Sequence, residues 1–376
     1  MEIERIEAIG LRRELSEPFA NAQKWITSRE YCLVRVESAG HVGWGECWGP
    51  IAGNREIIEG VIAPWLRGRD PSHPEAVHDD LVTLLRGKYH SYVPWSAVSG
   101  IDVALWDLLG KREGKPISGL LGGRRRESIR AYATGGFWPD VESFEAVRES
   151  VVAEARAHVD RGFGALKTKI GLHHHFGWDW RRDVELVRAI RDAVGPDVRV
   201  MVDANHAYDV ATARQVGSAL AGLDVAFFEE PLAPERVGSY GRLQRDVEVP
   251  LAAGECWSPP QFDRALESGA VGYVQPDVTS TGGLTPARRV VTTAAARNVQ
   301  AIPHVFGSTV ALAASLQLLA TARGNPMLEF DRTPNPIRDD LATTAIENDG
   351  PEVPIPEGPG LGVGIDPEVL ADFRVE

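Results

Sequence analysis

The sequence predicts an α/β protein whose larger part is a modified TIM barrel, (β/α)7β, preceded by a smaller α+β domain. Short apolar runs separated by helical patterns recur between residues 165 and 277, which is typical of parallel βα repeats. Four of these runs end abruptly in a carboxylate, and the residues are Asp203, Glu229, Glu255 and Asp277. The acidic ends recur at roughly the spacing of one βα unit in a barrel. An earlier run, ALKTKIG, ends instead on Lys167 and Lys169.

The chain divides into three predicted parts. Residues 1–125 lack the barrel rhythm and are predicted to form an α+β capping domain, with strands in EIERIEAIGLRREL, REYCLVRVES and GHVGWGECWG. The turn ESAGHVG predicts a hairpin, and a helix is expected over Trp95–Leu109 with Ser96 as its cap. Residues 126–330 are the predicted barrel, with a first helix over Val141–Arg161. Residues 331–376, rich in Pro and Gly, are predicted to pack back on the capping domain.

The predicted barrel strands follow a common pattern of short apolar runs. They are SIRAYAT, ALKTKIG, MVDAN, VAFFEEP, PLAAGE, VGYVQPD, QAIPH and MLEF. In a barrel of this kind, the residues at the carboxyl ends of the strands surround one mouth, where active sites lie. The polar residues that end these runs are therefore candidates for a common site.

Composition limits the possible partners and compartments. The chain has 376 residues, 43% hydrophobic content and a net charge of -13, with no basic stretch, which argues against nucleic acid or an anionic membrane. No apolar run is long enough to span a bilayer, and the first ten residues lack a signal sequence. Cys32, Cys47 and Cys256 are scattered without CxxC spacing, so we expect a reducing, cytoplasmic environment.

Three of the strand-end acids predict a metal site. Asp203, Glu229 and Glu255 end three consecutive strands and would converge at the barrel mouth. Three converging carboxylates cannot all stay ionised without a cation among them, and all-oxygen ligands suit Mg²⁺. Any one of these acids alone could instead cap the helix that follows it. Their recurrence in successive units favours the metal site.

Two further pairs point to proton transfer. Lys167 and Lys169 are two residues apart on one strand and project to the same face, where two ammonium groups would lower each other's pKa and favour a neutral amine. An ion pair with the nearby carboxylates is the alternative, above all for Lys167. His304 and Asp277 end adjacent strands, so a hydrogen bond could orient the imidazole and raise its basicity. A histidine at a strand end can also be purely structural.

These motifs together resemble the enolase superfamily. The resemblance rests on a small α+β domain before a barrel, K-x-K on the second strand, and Asp, Glu and Glu on the third to fifth. QPD on the sixth strand and PH on the seventh narrow the resemblance to the mandelate racemase-like group. The segments GWGECWGP, SGIDVALWD, RAYATG, VDANHAY, EFDRTPNP and PEGPGLG resemble the galactarolactone cycloisomerases of that group. The resemblance covers nearly the whole chain.

The resemblance implies residue roles and a reaction. Lys169 and His304 would be bases on opposite sides of the substrate, with Asp277 supporting the histidine. Lys167, Asn205 and Glu329 would contact the substrate. The implied reaction removes the proton α to a carboxylate and opens an aldarolactone, such as galactarolactone, to a 3-deoxy-2-keto hexarate.

Several alternatives stay open. The same residues suit a sugar-acid dehydratase or a racemase or epimerase, and a non-catalytic sugar-acid-binding protein is the alternative from another class. We also expect the enzyme to be a homo-oligomer that acts on a small sugar acid or lactone.

Three other features carry weaker expectations. The tract His173–His175 is expected to be a solvated loop rather than a metal site. Gly282 and Gly283 precede a helix and could hold a substrate anion or form a tight turn. Trp25 and Trp48 lie in capping-domain loops that would either close over the barrel mouth or pack at the domain interface.

Overall fold

The structure, a computed structural model, describes residues 2–346 and 350–376. The strands are β1 (Arg5–Ala20), β2 (Trp25–Ser38), β3 (His41–Cys47), β4 (Ser128–Thr134), β5 (Trp138–Pro139), β6 (Ala165–Lys169), β7 (Arg199–Asp203), β8 (Val225–Glu229), β9 (Leu251–Ala253), β10 (Tyr273–Val274), β11 (Gln300–Ala301), β12 (Met327–Asp331), β13 (Glu352–Pro354) and β14 (Arg374–Val375).

The helices alternate with the strands through the second half of the chain. They are α1 (Ile51–Ile57), α2 (Ala63–Leu66), α3 (Pro74–Lys88), α4 (Trp95–Glu113), α5 (Ile117–Leu120), α6 (Phe144–Asp160), α7 (His173–Phe176), α8 (Arg181–Val194), α9 (Val210–Ala221), α10 (Val237–Asp246), α11 (Pro259–Ser268), α12 (Leu284–Ala296), α13 (Thr309–Thr321), α14 (Pro336–Asp340) and α15 (Pro367–Phe373). A π-helical turn, Ile58–Ile62, joins α1 to α2. No helix among the described residues is long and apolar enough to cross a membrane.

The amino-terminal strands form an antiparallel sheet in the order β14-β1-β2-β3, with β5 paired to β1. Its inner face carries alternating apolar residues such as Ile6 and Val36, which are direct partners in the ladder and belong to one buried cluster. The final strand β14 pairs antiparallel with β1, with Val375 opposite Gly10. The last strand of the chain is therefore an edge of the first sheet.

Helix α4 packs against β2 and β3 of this sheet and is longer than the sequence predicts. It begins at Trp95 after Pro94 and ends at Gly114, which adopts the left-handed conformation (φ 63°) that glycine tolerates best. The prediction that Ser96 caps this helix is wrong, because Ser96 already lies inside the first turn and makes no cap hydrogen bond. Helix α6 begins later than predicted, after Ser143, whose side chain accepts a hydrogen bond from the Ala146 backbone N–H.

Eight parallel strands form a second, curled sheet in the order β11-β10-β9-β8-β7-β6-β4-β12. The ladder sets Lys169 opposite Asp203, and Asp203 opposite Glu229, so polar strand ends lie side by side. β10 and β11 are only two residues long. Pro276 and Pro303 follow them and lack the N–H needed to extend a ladder. This curled parallel sheet beside a separate antiparallel sheet confirms the predicted fold class.

The carboxy-terminal segment contacts both sheets. Antiparallel β13 pairs with the beginning of β4, with Pro354 opposite Ser128. Further along, the Leu361 backbone N–H donates to the buried Asp107 carboxylate of α4 at 2.8 Å. The segment thus crosses from the outside of the barrel sheet to the capping sheet.

Two buried carboxylates of the amino-terminal domain hold helices that follow barrel strands. Asp102 Oδ2 accepts from the Thr285 backbone N–H at 2.9 Å, at the start of α12. Glu46 accepts from the Ser308 and Ala311 backbone N–H groups (3.1 and 3.3 Å) at the start of α13. Each carboxylate lies where the positive end of the helix dipole favours an anion.

The Gly282–Gly283 pair serves this docking contact. A Cβ at Gly283, where φ is 104°, would lie 2.3 Å from Asp102 Oδ2. Only glycine allows the carboxylate to approach so closely. The helix N-terminus already holds the Asp102 carboxylate, so the interpretation as a substrate-anion site is wrong and the tight turn is the correct alternative.

Candidate active site

The three predicted metal ligands lie together at the carboxyl ends of β7, β8 and β9. One carboxylate oxygen from each of Asp203, Glu229 and Glu255 lies within 4.8 Å of the others. Asp203 and Glu229 are fully buried. Glu255 follows Gly254, which has a φ of 147° and whose Cβ would lie 2.9 Å from the Gln275 backbone N. Glycine at this position lets the chain turn from β9 towards the centre of the mouth.

Both predicted lysines point into this group of acids. Lys167 Nζ lies 2.7 Å from Glu229 Oε1 and 2.7 Å from Glu329 Oε1, and Lys169 Nζ bonds Asp203 Oδ2. Burial and the charge of Lys167 would lower the pKa of Lys169, but the carboxylates of Asp203, Glu229 and Glu255 together outweigh them and raise it. The expectation that the two ammonium groups leave a neutral amine is therefore wrong while these carboxylates are free. The ion-pair alternative describes both lysines.

The donor chemistry of the acidic cluster fits Mg²⁺. All three groups offer oxygen, as Mg²⁺ prefers, and the buried Glu255 Oε2 has no hydrogen-bond partner among the residues that the structure describes. Burial, followed by the charge of Glu230, raises the pKa of Glu255 to about 7. For Asp203, the lysines outweigh burial and hold the pKa at about 2. A divalent cation would relieve the excess of negative charge that these acids create.

His304 and Asp277 form the predicted hydrogen-bonded pair beside the acids. His304 Nδ1 lies 2.7 Å from Asp277 Oδ2, and its Nε2 is 3.4 Å from Glu255 Oε2. The Thr279 backbone N–H and hydroxyl both donate to Asp277 Oδ1 at 2.6 Å, which fixes the carboxylate. Burial would lower the pKa of His304, but Glu255, Glu329 and Asp277 raise it to about 10.

The two remaining predicted contacts also lie at the mouth. Glu329 accepts a 2.7 Å hydrogen bond from the Thr134 hydroxyl besides its ion pair with Lys167. Its pKa is lowered, because Lys167 and His304 outweigh burial. The Asn205 backbone N–H donates to Asp203 Oδ1 at 2.9 Å, while the buried side-chain Oδ1 of Asn205 has no hydrogen-bond partner within residues 2–346 and 350–376. The structure thus brings all nine candidate residues to one mouth, and their individual roles remain predictions.

Sequence reasoning missed several residues that shape the site. The Gln275 amide donates to Glu229 Oε2 at 2.6 Å. Gln275 is two residues before Asp277, so the same-face periodicity could have found it. Phe137 and Phe306 stack at 5.7 Å between ring centroids, and Lys169 Nζ lies 4.8 Å from the Phe137 centroid. These aromatic residues follow strands without a distinctive spacing, so no sequence signal marked them.

A cavity of about 470 Å³ opens between the capping domain and the mouth, within the size range of small-molecule sites. Its lining includes Lys24, Trp25, Trp48 and Phe306. The Trp48 ring packs edge-on against His304 at 5.5 Å between centroids, so this tryptophan lies directly against the candidate base. Of the two alternatives for Trp48, a role at the mouth fits this contact.

The histidine tract His173–His175 forms the short helix α7 rather than a solvated loop. The rings of His173 and His174 lie 3.1 and 2.9 Å from the Ala207 carbonyl oxygen, and the His175 ring lies 2.6 Å from the Asn21 carbonyl oxygen. Trp25 packs edge-on against His175 at 5.9 Å. The expectation of a solvated loop was wrong, because the loop residues Asn21 and Ala207 offer free carbonyl groups to the rings.

Comparison with known proteins agrees with this architecture. Residues 5–122 match the family model described as the mandelate racemase/muconate lactonizing enzyme N-terminal domain, and residues 150–369 match the enolase C-terminal domain-like model. The D-galactarolactone cycloisomerase of Agrobacterium fabrum is 40% identical over 100% of this chain and 99% of that protein. The arabinonate dehydratase of Saccharolobus solfataricus is 33% identical over 92% of this chain and 91% of that protein.

A solved structure extends the similarity to the whole fold. The 3,6-anhydro-D-galactonate cycloisomerase from Zobellia galactanivorans superposes with a TM-score of 0.88, at 32% identity, and each chain is covered completely. The resemblance inferred from the motifs is thereby confirmed. The chain belongs to the mandelate racemase/muconate lactonizing enzyme family and is an enzyme of the enolase superfamily.

Proposed function

We propose that the protein is a Mg²⁺-dependent cycloisomerase that opens the lactone ring of an aldarolactone such as galactarolactone. The observation that carries the proposal is that Lys169 contacts Asp203 and His304 contacts Glu255, two members of one cluster of three carboxylates. The 40% identity to a D-galactarolactone cycloisomerase over the full length favours this substrate class. The cavity is lined by Trp48 and Phe306, whose rings pack against His304, and its volume of about 470 Å³ is large enough for a hexarate lactone.

The proposed reaction begins with loss of the proton α to the free carboxylate of the lactone. Asp203, Glu229 and Glu255 would hold Mg²⁺, which when bound stabilises the negative charge that develops on the substrate carboxylate. Lys167, Asn205 and Glu329 would bind and orient that carboxylate. His304, with Nδ1 held by Asp277, would take the proton at Nε2.

Ring opening follows from the position of the leaving group. The electron pair left on the α-carbon forms a double bond to the β-carbon, and the C–O bond of the ring breaks. The departing oxygen becomes part of a carboxylate, which is a weak base and does not require protonation as it leaves. The resulting enol takes one proton at the former β-carbon, releases its hydroxyl proton to solvent and gives a 3-deoxy-2-keto hexarate. Lys169 would supply that proton or hold the departing oxygen.

The second candidate is a sugar-acid dehydratase, which the 33% identity to an arabinonate dehydratase favours. That reaction uses the same base but expels hydroxide, which is a far poorer leaving group and needs an acid. A parallel assay of aldarolactones, open-chain aldarates and aldonates, with formation of 2-keto acid as the readout, separates the two. We expect turnover of a lactone to exceed that of the matching open-chain acid. Faster turnover of the open-chain acid would favour the dehydratase, and no 2-keto acid from any compound would overturn both.

A further inference from the structure

A second group of potential metal-binding side chains is adjacent in sequence to the predicted magnesium ligands. Ligand atoms of His206, Glu230 and Cys256 lie within 4.8 Å of one another. Glu230 and Cys256 directly follow two of the predicted magnesium ligands, and His206 comes three residues after the third. The three residues thus lie just beyond the carboxyl ends of β7, β8 and β9.

The buried carboxylate of Glu230 requires an explanation. The residue is fully buried, and within the described part of the chain its Oε1 has no hydrogen-bond partner. Its Oε2 forms an ion pair with His206 Nε2 at 2.6 Å, although the contact lacks the direction of a hydrogen bond. Buried carboxylates left in this way are costly and are normally paired or bound to a metal.

The other ring nitrogen of His206 contacts the capping domain. The side-chain amide nitrogen of Gln23, in the turn between β1 and β2, lies 2.6 Å from His206 Nδ1. With Gln23 donating to Nδ1, the proton of the neutral imidazole lies on Nε2, and a bound cation would replace it. This hydrogen bond links the cluster to the capping domain.

The donor types differ from those of the predicted magnesium site. Imidazole nitrogen, carboxylate oxygen and thiolate sulfur together suit Zn²⁺ and similar ions, whereas Mg²⁺ prefers oxygen alone. Cys256 reaches solvent and lines, together with Glu255, a groove of about 940 Å³ between the barrel and the capping domain. An ion therefore has a path to the cluster.

We propose that His206 Nε2, Glu230 and Cys256 Sγ form a second metal site that binds Zn²⁺ in preference to Mg²⁺. Binding would release the thiol proton of Cys256 and the Nε2 proton of His206.

The test is a Co²⁺ titration of the full-length protein in saturating Mg²⁺, because Co²⁺ replaces Zn²⁺ and a bound thiolate gives a near-ultraviolet charge-transfer band. We expect the band to appear with one equivalent of Co²⁺ and to be displaced by Zn²⁺. Cys256→Ser should abolish the band and weaken Zn²⁺ binding by about 100-fold, since even indirect partners of a metal contribute about 10- to 100-fold. Glu230→Gln should weaken Zn²⁺ binding in the same direction.

Asp203→Asn is the matched control, because it removes a predicted magnesium ligand and leaves Cys256 in place. Its thiolate band should persist. Absence of the band in the unmodified protein would overturn the proposal, as would equal Zn²⁺ affinity in the Cys256→Ser variant. Either result would mean that His206 and Glu230 are a plain ion pair. Cys256 is exposed, so its serine variant is expected to fold and the test stays decisive even if Glu230→Gln does not.

Discussion

Replacement of Asp277 by asparagine tests whether this carboxylate sets the basicity of His304. Asp277 is buried and lies 2.7 Å from His304 Nδ1, so the pair forms a charge-assisted hydrogen bond. Such bonds contribute about 1.5–3 kcal/mol. This energy corresponds to a pKa decrease of roughly one to two units for His304 when the charge is removed.

Two changes in the pH profile should follow in the Asp277→Asn variant. A general base acts in its deprotonated form, so activity rises with pH through the pKa of His304, and this ascending limb should move to lower pH. The plateau rate should fall by roughly 10- to 100-fold, because the imidazole becomes a weaker base and loses its orientation. KM should change little, since Asp277 faces His304 rather than the cavity. The assay is kcat against pH with a saturating aldarolactone and Mg²⁺.

Thr279→Ser is the matched control, because serine retains the hydroxyl that donates to Asp277 at 2.6 Å. We expect the Thr279→Ser variant to keep the ascending limb and the plateau rate of the wild-type pH profile. If the ascending limb and the plateau of kcat against pH were unchanged in the Asp277→Asn variant, the assignment of His304 as the abstracting base would be refuted. Lys169 would then become the candidate.

Three further predictions follow from the structure. Chelation should abolish the activity of the wild-type protein, and added Mg²⁺ should restore it. Added Mg²⁺ should not give the Asp203→Asn variant activity. Full turnover by metal-free protein would contradict the metal site. The folded-state pKa of Glu46 is raised by burial from 4.5 to about 7, so its stabilising effect is complete below pH 4.5 and is lost as pH rises through about 7. Between pH 4.5 and pH 7, the free energy of unfolding of the wild-type protein should therefore fall by about 3 kcal/mol relative to that of the Glu46→Gln variant, as measured by denaturant titration. A difference between the two proteins that does not change with pH would contradict this prediction. Deletion of residues 374–376 should remove β14 from the first sheet and lower the unfolding free energy by about 1–2 kcal/mol, whereas deletion of Glu376 alone should not; equal stability would argue against the packing of this segment.

The sequence was most informative where one residue determines both local structure and chemistry. Asp203, Glu229 and Glu255 each end an apolar run, and the regular geometry of parallel strands then brings them to one mouth. The two-residue period of a strand correctly predicts that Lys167 and Lys169 share one face, but it does not predict their protonation state. Their pKa values depend on how many carboxylates surround them, which only the three-dimensional arrangement reveals.

Contacts between distant segments were the part that the sequence could not supply. The docking of Asp102 against Gly283 joins residues 181 positions apart, and nothing local to either residue indicates it. The stack of Phe137 on Phe306 and the approach of Trp48 to His304 are likewise set by how the capping domain lies on the barrel. Helix ends were misplaced for a related reason, because the Ser96 prediction rested on residue type rather than on the chain direction imposed by Pro94.

The most direct test of the proposed reaction is the position of solvent deuterium in the product of galactarolactone turnover in D₂O with Mg²⁺. Proton abstraction and ring opening predict a 3-deoxy-2-keto hexarate with one deuteron at C3, seen by NMR. His304→Ala should lose this product by about 10²–10⁴-fold in rate. Conversion of the lactone to galactarate without deuterium would show simple hydrolysis and would contradict the account.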